Sequence, residues 1–287
     1  MVKKSLNKRS PLAPKGIKRL SPVEGVSLYT YCANLYNKQR NDLSVFLFHN
    51  KSFIAEVFTK SSLRSATLDW NSKALKGKEV QAIVVNSGNA NTFTGKQGER
   101  AIEEVVKTIA SQFKVSKKKI FVASTGVIGE PFPTQKVIKA IKEKKSPSKN
   151  WIDAARSIMT TDTYPKGISI NTSIGNQKIR ITGIAKGSGM IEPNMATMLG
   201  FIFTDAELNQ SILRSLISKF IPDSFNSISV DGDESTNDTV ILTSTNVKKL
   251  NKKILSINDK RLKKFQLDLE KVFLYLAEQI IRDGEGA

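Results

Sequence analysis

The sequence has 287 residues, 39% of them hydrophobic and 25% charged, which is enough for one large domain or two ordinary ones with a real core. A single cysteine, Cys32, excludes an internal disulfide and a cysteine-built zinc site, and a single histidine, His49, excludes a histidine metal cluster. The 45 Lys and Arg outweigh the 26 Asp and Glu to give a net charge of +19, which admits nucleic-acid binding as one reading. Against it, lysine outnumbers arginine more than threefold, whereas phosphate and base recognition favour the arginine fork. Aromatic residues are only 7%, too few for a base-stacking platform.

In chain order, Pro11, Pro14 and Pro22 keep the first forty residues irregular. Leu43–Phe48 and Phe53–Phe58 read as two strands around a His-Asn-Lys-Ser turn. A buried strand over Val80–Val85 runs into the polar, glycine-punctuated loop 86–95. Ala101, Ile102, Val105, Val106, Ile109 and Ala110 recur at helical spacing. A short strand, 119–124, ends in the loop 125–129, and helices follow at about 134–144 and 151–159. The second half predicts a hairpin, 168–174 and 178–184, turning at Gly175 and Asn176. An apolar strand over 197–204, a helix over 206–220, strands near 225–230 and 239–244, and a long amphipathic helix over 259–282 complete the chain. Alternating strands and helices place it in the α/β or α+β class with layered sheets.

No apolar run approaches the roughly 20 residues of a spanning helix. The basic N-terminus leads into Ser-Pro-Leu-Ala-Pro without the apolar centre of a signal peptide. The expectation is a cytoplasmic protein with no membrane or nucleic-acid partner.

The scarcity of histidine directs attention to nucleophiles that work without it. Thr197 opens a predicted strand after the small residue Ala196. A strand-opening threonine is ordinarily just a β-branched residue. If the bond before it is cut, its new α-amine lies beside its own hydroxyl and can act as the base.

Six ordered blocks carry a family resemblance: NSGNANTFTGKQG (86–98), ASTGVIGEPFP (123–133), SIMTTDTYPK (157–166), GIAKGSGMIEPNMATMLGFIFTDA (183–206), SVDGDESTNDT (229–239) and IRDGEGA (281–287). The sequence resembles the bifunctional ornithine acetyltransferase/glutamate N-acetyltransferase family of arginine biosynthesis. The resemblance implies a layered αββα sandwich, self-cleavage between Ala196 and Thr197, an α chain of 1–196, a β chain of 197–287, and a tetramer of two α and two β chains. It implies Thr197 as nucleophile with its α-amine as base, and Thr125 and Gly126 as oxyanion hole. Thr160, Lys186, Thr197 and Glu285 fall on substrate-binding positions. The substrates implied are N-acetylornithine and glutamate, with no metal or cofactor; whether acetyl-CoA also donates stays open.

The family's β chain continues beyond DGEGA, so the C-terminal portion is expected to be incomplete and transfer by this chain alone to be weak. The alternatives are a related self-processing aminopeptidase, an inactive fragment, and a basic nucleic-acid-binding protein.

Overall fold

The computed structural model describes residues 9–16, 19–36, 38–59, 61, 63–192, 198–233 and 235–285. Strand β1, Val26–Tyr31, pairs antiparallel with β2, Leu43–Phe58. Helix α1, Ala66–Ala74, leads to β3, Glu79–Asn89, and α2, Gly95–Phe113, crosses over to β4, Ile120–Val127. Helices α3, Thr134–Lys142, and α4, Ile152–Ser157, precede the hairpin β5, Lys166–Ile174, and β6, Gln177–Lys186. Strand β7, Leu199–Ala206, α5, Gln210–Phe220, β8, Thr239–Lys248, and α6, Lys263–Arg282, follow.

The strands hydrogen-bond in the order β4-β3-β2-β8-β7-β6-β5, with β1 on β2. The β3–β4 and β7–β8 pairs are parallel and each is bridged by a helix, as a parallel pair requires. Alternation along the strands sorts apolar side chains into three layers. Val45, Val84 and Val122 face α2 and α3. Ile202, Val240 and Leu242 face α5 and α6. Between them, Phe46 and Phe121 meet Phe201, Phe203 and Ile241. Phe46 lies 4.7 Å from Phe203 by ring centroids although β8 separates their strands in the sheet. The sheet therefore folds over on itself, and the expected αββα layering holds, with one hydrogen-bonded path running through both sheet layers.

Three sequence expectations are corrected. The His-Asn-Lys-Ser segment is not a turn: β2 runs unbroken through it, and an irregularity absorbs the extra residues, because Leu47 faces Ala82 while Ser52 faces Val80. Its first half serves β1 and its second half β8. Residues 225–230 form no strand; Phe225–Ser227 make a single 3-10 turn whose amides bond back to Ser224 and Ile221. The N-terminal stretch contains β1, and α1 also went unanticipated.

Candidate active site

Strands β3 and β4 end side by side, with Ser87 opposite Thr125 and Gly88 opposite Gly126. Gly126 has φ +130°, and a Cβ there would lie 2.3 Å from the Gly88 carbonyl carbon. Only glycine fits such a backbone approach. The loops beyond these strands are tied together: the Asn237 amide donates to the carbonyls of Ala90 (2.6 Å) and Ser124 (2.8 Å), and the Thr92 hydroxyl donates to its oxygen (2.7 Å). Thr125 is thus held by a residue more than a hundred positions away.

Lys186, at the end of β6, is buried and donates to the Thr125 hydroxyl at 3.3 Å. A hydroxyl that accepts from an ammonium keeps its own proton free to donate. Burial pulls Lys186 below the usual lysine range, and Asp162 opposes that shift. Asp162 accepts from the Gly187 N–H (2.8 Å), the Thr160 N–H (3.0 Å) and the Lys166 ammonium (2.6 Å). Lys166 also bonds Asp283, 2.5 Å away, just after α6. Burial alone would raise the Asp162 carboxyl; the Lys166 and Lys186 charges and the Gly187 N–H outweigh it and hold it below the ordinary value.

Glu285 lies at the rim. Its N–H donates to the Ser188 carbonyl (2.7 Å), and its exposed carboxylate rests on Gly189, where an added Cβ would lie 2.9 Å from Glu285 Cδ. The Ser188 hydroxyl bonds that of Thr161 at 2.7 Å.

Ala196 and Thr197 lie outside the described residues. Their flanks are gripped by one loop. Asp231 accepts from the N–H groups of Met190 and Ile191, and Asp238 accepts from the Met198 N–H at 2.7 Å. Leu199, next in the chain, is opposite Lys186 across the β6–β7 ladder. The structure therefore brings Thr125, Gly126, Thr160, Lys186 and Glu285 around the point where the chain resumes after Thr197. Asp162, Lys166, Asp231, Asn237, Asp238 and Asp283 were missed by sequence reasoning. Each sits inside one of the six blocks as a polar residue without an assigned task, and that was the available signal.

The ArgJ family model matches residues 28–287. The arginine biosynthesis bifunctional protein ArgJ of Bradyrhizobium diazoefficiens is 42% identical over 283 residues, an alignment covering 97% of this chain and 68% of that one. This chain belongs to the ArgJ family. The ArgJ protein of Zymomonas mobilis is 41% identical over 279 residues, again covering 97% of this chain and 68% of the relative. The crystal structure of ArgJ from Bacillus halodurans is 31% identical with a TM-score of 0.59, covering 62% of this chain and 95% of that one. The L-aminopeptidase D-Ala-esterase/amidase of Ochrobactrum anthropi shares the ArgJ fold at 13% identity, with a TM-score of 0.53 over 95% of this chain and 90% of that one. Among the described residues no helix is long and apolar enough to cross a membrane.

Proposed function

We propose that this chain cuts itself between Ala196 and Thr197 into an α chain, 1–196, and a β chain, 197–287, and that the new N-terminal threonine carries an acetyl group from N-acetylornithine to glutamate. One observation carries the reading: Lys186, whose ammonium donates to the Thr125 hydroxyl beside Gly126, is paired across the β6–β7 ladder with Leu199, two residues after the proposed nucleophile. ArgJ relatives are named bifunctional proteins of arginine biosynthesis.

The Thr197 hydroxyl attacks the acetyl carbonyl while its α-amine, with a reference pKa of about 7.7–8.0, takes the proton. The Thr125 hydroxyl and the Gly126 N–H stabilise the tetrahedral oxyanion, one such donor being worth about 2.7–4 kcal/mol. Ornithine leaves with the proton, and the glutamate amine attacks the acetyl-threonine ester in the second half of a ping-pong cycle. Acetyl-CoA could load the same threonine, with a thiol as leaving group. No metal or cofactor enters these steps. Lys186 suits a substrate carboxylate, Glu285 a substrate ammonium and Thr160 a polar contact between them. The working assembly is a cytoplasmic tetramer of two α and two β chains.

Intact mass under denaturing conditions should show two pieces, joined at Ala196–Thr197 in the precursor. N-acetylornithine should add one acetyl group to the piece beginning at Thr197, and glutamate should remove it. Thr197→Ala should leave one uncut chain. Cutting of that variant at the same bond, or an acetyl group on any other residue, would refute the reading.

A further inference from the structure

We propose that Lys166 is a positioning residue: it fixes the separation between the Lys186 ammonium and the Glu285 carboxylate, and through it the length of substrate, from carboxylate to ammonium, that the site accepts. This inference rests on the substrate contacts proposed above for Lys186 and Glu285.

Thr160, Lys186 and Glu285 come from three segments far apart in the chain, and Lys166 lies where those segments meet. Its side chain is fully buried. An ammonium has three N–H donors, and here all are used: on Asp162 at 2.6 Å, on Asp283 at 2.5 Å and on the Tyr164 carbonyl at 3.4 Å. Asp162 accepts from the N–H of Thr160 and from the N–H of Gly187, the residue after Lys186. Asp283 lies two residues before Glu285 and accepts from the N–H (2.9 Å) and the hydroxyl of Thr163. The third side closes where the Glu285 N–H donates to the Ser188 carbonyl (2.7 Å).

A ring of three mutually bonded segments leaves little play between the groups it carries. Lys186 is anchored through the Gly187 N–H, Glu285 through Asp283 and its own N–H, and one ammonium joins the two anchors. Packing does not by itself call for charge here, since apolar side chains of similar volume often replace a buried ion pair at no loss of stability. What the ion pairs do fix is position: a buried carboxylate that moves off its ammonium is left uncompensated. Burial pulls Lys186 down, and the Glu285 carboxylate is among the charges that oppose that pull, so the two groups lie in one field.

An α-N-acetyl diamino acid presents one carboxylate and one terminal ammonium, separated by its methylenes. With the carboxylate on Lys186 and the ammonium on Glu285, the separation of those two side chains measures the substrate. One methylene too many or too few displaces the acetyl carbonyl from its productive place, and a displacement of that size is costly in rate.

The test is single-turnover acetylation of the full chain, followed by intact mass, with N-acetylornithine, N-acetyllysine (one methylene longer) and N-acetyl-2,4-diaminobutyrate (one shorter). In wild type each analogue at low concentration should react about 10–200-fold more slowly than N-acetylornithine. Lys166→Met should reduce that preference at least about 5-fold. Asp283→Asn leaves the Lys166–Asp162 pair in place, is the milder change to the fold, and should reduce the preference in the same direction. Ile109→Ala, which opens a cavity in the α2 layer across both sheets from α6, controls for lost stability and should keep the wild-type preference. Equal rates with all three substrates in wild type, an unchanged preference in folded Asp283→Asn, or an equal loss in Ile109→Ala would overturn the proposal while leaving acetyl transfer standing. A wild-type chain that takes an acetyl group from none of the three refutes the acetyl-transfer reading itself, and this inference with it.

Discussion

The Lys186 ammonium lies 3.3 Å from the Thr125 hydroxyl, with both side chains buried, and this contact joins the end of β6 to the end of β4. It makes Thr125 a better donor, because an ammonium on the hydroxyl oxygen polarises the O–H bond. Thr125→Ala should lower kcat for acetyl transfer by about 10²–10³-fold with KM nearly unchanged. Thr125→Ser, which keeps the hydroxyl, should restore most of the rate. Lys186→Met should lower kcat by about 10-fold or more. A pure KM effect in Thr125→Ala would move that residue from the oxyanion to substrate binding.

Gly126→Ala tests the geometry rather than the hydroxyl. The added methyl would lie 2.3 Å from the Gly88 carbonyl carbon at a φ of +130°. The strain alone is of order 1–3 kcal/mol, and the clash adds to it by prising β4 from β3. Chemical denaturation should show a loss of at least about 2 kcal/mol, with transfer abolished. Unchanged stability would mean that β3 and β4 separate freely at this point.

The buried group of Asp162, Lys166 and Asp283 ties α6 and the segment that carries Glu285 to β5. Lys166→Met would strand two buried carboxylates, and breaking such a pair costs about 3–5 kcal/mol. The pH dependence follows from Asp162, whose folded carboxyl is held below its ordinary value despite burial, by Lys166, Lys186 and the Gly187 N–H. The unfolded chain takes up that proton near pH 3.9, whereas the fold resists it. Stabilisation by Asp162 is therefore present above about pH 4 and is lost as pH falls from there toward the depressed folded value. Urea midpoints measured between pH 6 and pH 2.5 should fall in wild type and fall less steeply in Lys166→Met.

His49 offers a control. It sits exposed on β2, its ring bonded to the Ser27 hydroxyl at 2.7 Å, and among the described residues it makes no hydrogen bond with the candidate site. His49→Ala should cut and transfer at wild-type rates, with stability changed by less than about 0.5 kcal/mol. Loss of turnover in a folded His49→Ala protein would point to a histidine base and exclude the α-amine of Thr197.

Much of this protein was legible in its sequence because the information was local. The apolar periodicity of α2 and α6, the Gly175–Asn176 hairpin and the alternating layers follow from side-chain spacing along single elements. The single histidine narrowed the chemistry, and six blocks of text pointed to the family and to Thr125, Gly126, Thr160, Lys186 and Glu285. Tertiary structure decided the rest, because it depends on contacts between distant segments. Whether His49–Ser52 turns or continues depends on β1, β3 and β8 all claiming parts of one strand. That Gly126 must be glycine depends on Gly88 across a parallel pair. Asp231 and Asp238 read in sequence as two acids of a turn. Only the return of that loop against Ile191 and Met198 makes them the clamps on either side of the predicted cleavage segment, since a hydrogen bond across forty residues leaves no periodicity for a sequence to display.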